Sequence, residues 1–134
     1  MRGSIPCPGP EFVKYGGNTP CVEVRCNDRI LIFDAGTGLR PLGNLISSEG
    51  DIEADIFFSH AHLDHIGGLP FFGPAFNPKN LFRIWSGNLE NASSMKDVFS
   101  NLMTAPLFPV PLEIFNARLE FKEVKPGQAF PISE

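Results

Sequence analysis

Apolar and polar positions change period several times along the chain, and each change marks an element. From Val22 to Cys26 they alternate, with Val22, Val24 and Cys26 on one side and Glu23 and Arg25 on the other, which predicts a half-buried strand. Asn27 to Arg29 supplies a turn, and the apolar run Ile30 to Phe33 predicts a second strand buried on both faces, so the two read as a β-hairpin. The hairpin ends in "DAGTG", where Gly36 and Gly38 allow positive φ and close backbone approach. Leu39, Leu42, Leu45 and Ile46 then fall on one helical face, predicting a short helix over Leu39 to Ile46.

"ADIFFSH", Ala54 to His60, predicts a third strand, and Ile66 to Leu69 a further helical start. "PFFGPAFNPKN" reads as a proline-interrupted loop and "LFRIWSG", Leu81 to Gly87, as a fourth strand. The segment "NLENASSMKDVFSNLMT" places Leu89, Met95, Val98, Phe99 and Leu102 near one stripe, predicting a helix with Asn88 as N-cap. "APLFPVP" stops it, and Arg118 to Gly127 predicts a last strand. The opening segment to Pro20, dense in glycine and proline, is expected to be loop with a short strand at most. Strands come first, then strand and helix alternate, the order of an α+β chain with a mixed sheet and flanking helices.

Composition narrows the function classes. The chain has 134 residues, 43% of them apolar, enough for one domain with its own core. A net charge of −4 without a Lys/Arg cluster argues for a small-molecule substrate over nucleic acid. Cys7, Cys21 and Cys26 are odd in number and form no CxxC pair, so buried free thiols in a reducing cytoplasm are expected rather than a disulfide framework. The prolines of the first dozen residues interrupt any signal-peptide core, and no stretch approaches the roughly 20 apolar residues of a membrane span.

The chemistry is concentrated in "FFSHAHLDHIGG", which holds all 3 histidines of the chain. His60 and His62 are two apart, so in an extended segment both imidazoles project to one side and reach one cation. Asp64 and His65 follow in a turn and are placed to serve a second cation a few ångströms away. Mixed N and O donors suit Zn²⁺, Mn²⁺ or Fe²⁺ better than Ca²⁺ or Mg²⁺. Two metals about 3.5–4 Å apart activate a bridging water for hydrolysis.

"SHAHLDHIGG" resembles the H-x-H-x-D-H signature of the metallo-β-lactamase superfamily, and "FDAGTG" resembles its upstream aspartate-glycine motif. "RGSIPCPGPEFVKYGGNTPCVEVR" and "DHIGGLPFFGPAF" resemble a bacterial branch related to the carbon–phosphorus-lyase cyclic phosphodiesterase and, more distantly, to ribonuclease Z. The resemblance implies an αββα sandwich, a dinuclear site, zinc as the first choice of metal with manganese or iron as alternatives, and hydrolysis by a metal-activated hydroxide. It implies that His60 and His62 bind the first metal and Asp64 and His65 the second. Asp64 would also orient the nucleophile, as the catalytic carboxylate, and Asp34 would organise the loop behind the ligands.

Superfamily sites also need later histidines and a bridging aspartate, and this chain has no histidine after His65. Asp97, Glu113, Glu120 and Glu123 are acidic candidates outside any matching motif. The chain is therefore expected to be the N-terminal part of a single domain whose C-terminal half is absent, and to be inactive alone. Half a sandwich exposes an apolar sheet face, so a missing half or self-association is expected to cover it. A phosphodiesterase acting on a small or cyclic phosphodiester is the leading function. A non-catalytic metal-binding fragment and a thioesterase- or glyoxalase-like hydrolase are the alternatives.

Overall fold

The structure, a computed structural model, describes residues 3–87, 89, 94–125 and 127–132. Five strands form one sheet in the order β1-β2-β3-β4-β5. β1 (Val22–Cys26) and β2 (Arg29–Phe33) make the antiparallel hairpin, and β3 (Glu53–Phe58), β4 (Leu81–Ser86) and β5 (Arg118–Glu123) continue it in parallel. Parallel neighbours need crossovers. These carry α1 (Leu39–Ile46), α2 (Leu63–Ile66) and α3 (Met95–Leu102).

The register explains where the core lies. Ile32, Ile56 and Ile84 are cross-strand partners, as are Ala54 and Phe82, so they share one face, and all are buried. The helices cover that face. Leu39 and Ile46 of α1 and Met95 and Phe99 of α3 join the same cluster, with Phe99 edge-on to Phe58 at 5.4 Å and Phe72 edge-on to Phe82 at 5.0 Å.

The opposite face carries no helix among the described residues and departs from the expected pattern. Val22 and Val24, expected to be buried, are exposed, because they pair with Phe33 and Leu31 on the uncovered side. β2 is not buried on both faces: Ile32 is buried and Phe33 is exposed. On this side Phe33, Phe57 and Trp85 stack across β2, β3 and β4 with centroids 5.3 and 5.8 Å apart. Residues 127–132 return over part of it, where Phe130 stacks on Trp85 at 4.6 Å and Arg29 donates to the Ile132 carbonyl. Beside the rings, Asp55 is buried to 1% exposure and accepts from Trp85 Nε1 at 2.7 Å, with Arg29 and Arg83 each within 4 Å of its other oxygen.

Other boundaries shift. β3 ends at Phe58 rather than reaching His60, and the helix expected from Ile66 begins instead at Leu63. "PFFGPAF" folds into two 3₁₀ turns around buried Phe72 and Ala75. Leu45, assigned to the inner stripe of α1, is exposed. α3 is capped at Ser94, whose hydroxyl accepts from the Asp97 N–H and donates to the Asp97 carboxylate, a reciprocal cap that starts the helix later than the apolar stripe suggests. Asn88, the expected cap, lies outside the described residues. β5 stops at Glu123, short of Gly127. The opening segment forms a 3₁₀ turn over Pro10–Phe12 and no strand among the described residues. The cysteines are free, but none is buried as expected: Cys7 and Cys21 are half-buried and Cys26 is exposed. No helix among the described residues is long and apolar enough to cross a membrane.

Candidate metal centre

Two loops meet at the C-terminal ends of β2 and β3, the edge where α/β sheets bind ligands. The first follows β2 and runs from Asp34 to Gly38; the second follows β3 and enters α2 through Ser59, His60 and His62. The backbone zips them together: Ala35 N–H donates to the His65 carbonyl at 2.7 Å and Gly68 N–H to the Ala35 carbonyl at 2.7 Å. The glycines serve this approach rather than positive φ. A Cβ added at Gly68 would overlap the Gly36 carbonyl, and one at Gly36 would overlap the Asp64 carbonyl. The left-handed conformation falls instead on Asp34, at φ 62, which an aspartate tolerates better than most side chains.

That twist turns the Asp34 carboxylate back into the second loop. Its Oδ1 accepts from Ser59 N–H at 2.9 Å, and its Oδ2 lies 2.8 Å from His65 Nδ1. Ser59 Oγ lies 2.9 Å from both carboxylate oxygens and 3.0 Å from His60 Nδ1. Ser59 has one proton to give, and an ionised carboxylate is the stronger acceptor. His60 Nδ1–H therefore donates to Ser59 Oγ, Ser59 donates to Asp34, and His65 Nδ1–H donates to Asp34. In these tautomers Nε2 is the lone-pair nitrogen of His60 and of His65.

The rings gather closely, with His60 centred 4.4 Å from His62 and 4.0 Å from His65. His62, the exposed member, caps α2 in extended conformation, and Asp64 occupies the first helical turn. His65 Nε2 stands 3.3 Å from Asp64 Oδ2, close to the edge of about 3.4 Å that bonds of about 2.1 Å define in a tetrahedral zinc shell. The donor set and this spacing fit part of a metal shell. Among the described residues, however, no group of three or more His, Cys, Asp or Glu side chains is arranged to hold a metal ion. The later acids do not fill the gap: Asp97 is engaged in the α3 cap and Glu120 with Arg83, Arg118 and Lys122 on the sheet.

Residues 15–81, half of the chain and the span holding both loops, match the family model described as the metallo-beta-lactamase superfamily. The chain belongs to the metallo-beta-lactamase superfamily. It is also 36% identical over 62 residues to the cleavage and polyadenylation specificity factor subunit 3-II of Arabidopsis thaliana, a match covering 39% of this chain and 10% of that protein. The chain thus spans about a tenth of the length of that relative. Members of the metallo-beta-lactamase superfamily are in general metal-dependent hydrolases that bind divalent metals, commonly zinc.

Two neighbours of the histidine cluster were not read from the sequence. Ser59 links Asp34 to His60, and the available signal was a hydroxyl directly before the first histidine at a strand end. Cys21 lies near enough to Asp34 to feel its charge. Burial first, then Asp34 and Glu23, push its thiol up to about 12, so it stays protonated and offers no thiolate at neutral pH.

Proposed function

We propose that these residues are the N-terminal part of a metal-dependent hydrolase acting on a small or cyclic phosphodiester, with His60 and His62 on a first divalent metal and Asp64 and His65 on a second. The observation that carries this reading is the hydrogen-bond chain centred on Asp34, which makes Nε2 the lone-pair nitrogen of His60 and of His65 beside Asp64. Zinc, or manganese or iron in its place, would supply Lewis acidity and an acidified water when bound. The chain's own part is to fix ligand orientation through Asp34 and Ser59 and to present the Asp64 carboxylate as hydrogen-bond acceptor for the nucleophile. The remaining ligands come from residues beyond these 134.

Superfamily membership supports hydrolysis, and a relative named for cleavage and polyadenylation supports a phosphodiester over a thioester as the bond cut. The net charge of −4 favours a small substrate over nucleic acid. Three free thiols support a cytoplasmic setting. The sheet face without a helix among the described residues, with Val22, Val24 and Phe33 exposed, supports cover by a further part of the protein or a second copy. The absence of a closed donor set among the described residues favours a second reading for the 134 residues alone, a non-catalytic metal-binding module.

The intact gene product, supplied with zinc or manganese, is expected to release p-nitrophenol from bis(p-nitrophenyl) phosphate, while the 134 residues alone release none. Cleavage of a thioester such as S-lactoylglutathione without the phosphodiester would overturn the substrate assignment in favour of a glyoxalase-like enzyme.

A further inference from the structure

A cavity of about 310 Å³ adjoins the histidine loop, its walls including Asn18, Thr37, Arg40, Gly67, Gly68 and Phe71. Thr37 belongs to the loop that carries Asp34, and Gly67 and Gly68 directly follow His65, so the two loops that build the metal centre also build this cavity. No acidic residue lines it.

Arg40 distinguishes the cavity. Arg25, Arg29, Arg83 and Arg118 each sit within ion-pair distance of a carboxylate. The Arg40 guanidinium has no hydrogen bond or ion pair among the described residues, in a chain of net charge −4. Arg40 is exposed, and its planar fork of five donors, with no carboxylate on it, is open to a phosphate. Its neighbours are complementary. Asn18 Oδ1 accepts from the Thr37 hydroxyl at 3.1 Å, which fixes the amide and leaves its NH₂ group without a partner among the described residues. Phe71 is 57% exposed and makes an edge-to-face contact with Phe108, so much of its ring stays open to a ligand.

We propose that this cavity is the substrate-anchoring subsite: Arg40 and the Asn18 amide bind phosphate oxygens, and Phe71 packs against a ring substituent, which makes the substrate class a small phosphate ester bearing a planar ring. The proposal rests on the hydrolase reading for the bond that is cut, but the anchoring itself needs no metal.

The test uses the 134-residue chain stripped of metal on a chelating resin and titrated with phenyl phosphate in ¹H–¹⁵N NMR. Saturable shifts are expected at the amides of Thr37, Gly67 and Gly68 and at Arg40 Nε–H. Arg40→Ala should weaken binding about tenfold or more, the scale of a hydrogen bond to a charged group. Arg40→Lys should weaken it less, since it keeps the charge and loses the fork. Phenol should not reproduce the pattern. Equal affinity in Arg40→Ala, or shifts spread over Lys79 and Lys96 instead, overturns the subsite. Because no metal is present, that failure is separate from a failure of the metal assignment, which is read by zinc uptake.

Discussion

Asp34→Asn is expected to weaken zinc binding by about 10- to 100-fold, the range typical of lost hydrogen-bond partners behind metal ligands. The substitution keeps an oxygen for Ser59 N–H but places an NH₂ group where Oδ2 now lies 2.8 Å from His65 Nδ1. Two donors cannot face each other there. His65 must move its proton to Nε2, the nitrogen beside Asp64, and the metal must then displace it. Ser59, having lost a charged acceptor, is free to donate to His60 Nδ1, which sends the His60 proton to Nε2 as well. One amide thus withdraws two nitrogens from the metal without removing a ligand. Competition with a chromophoric chelator measures the affinity, and histidine ¹⁵N shifts report the tautomers. Unchanged affinity with His60 and His65 still protonated on Nδ1 would show that Asp34 does not orient them.

Asp55→Ala is expected to destabilise the fold by about 3 kcal/mol, because it strips the Trp85 indole N–H of its acceptor and removes the buried carboxylate beside Arg29 and Arg83. Asp55 is buried between Arg29 and Arg83 and holds Trp85 Nε1, while Arg83 Nη1 already lacks a hydrogen-bond partner. Alanine would leave Arg29 and Arg83 sharing Glu53, with Glu120 near Arg83, across an empty site, and would leave the indole N–H without its acceptor. The melting temperature should fall by about 10 °C for a chain of this size. Asp55→Asn keeps an acceptor for Trp85 and should cost less than the alanine. Thermal unfolding followed by circular dichroism measures both, and a shift under about 2 °C for alanine would show that the cluster is solvated and contributes little.

What the sequence made legible follows from how local each signal is. The limits of α1 were readable because Leu39 and Ile46 mark a single apolar face between a glycine-rich turn and a polar break. The hairpin was readable from its turn, and the histidine cluster from spacing alone. Face assignment failed where it depended on distant parts of the chain. Alternation shows that Val22 and Val24 share a side, but which side the helices cover is set by the crossovers after β2, β3 and β4. The start of α3 was misplaced because the apolar stripe began before the Ser94 cap. At the site, the glycines of "DAGTG" suggested positive φ, whereas the tight meeting of two loops uses their missing side chains and puts the left-handed residue at Asp34. Ser59 was invisible for a similar reason. Its hydroxyl matters only because Asp34, 25 residues earlier, folds back onto it.

His60, His62, Asp64 and His65, aligned by Asp34 and Ser59, are expected to form a metal-binding half-site in this chain. The most direct measurement is zinc titration of the 134-residue chain beside the His60→Ala/His62→Ala double variant, followed by calorimetry and by elemental analysis after desalting. The wild type is expected to take up zinc saturably and the variant to lose the first-metal uptake, with both chains folded by circular dichroism. Equal stoichiometry and affinity in the two chains would contradict it.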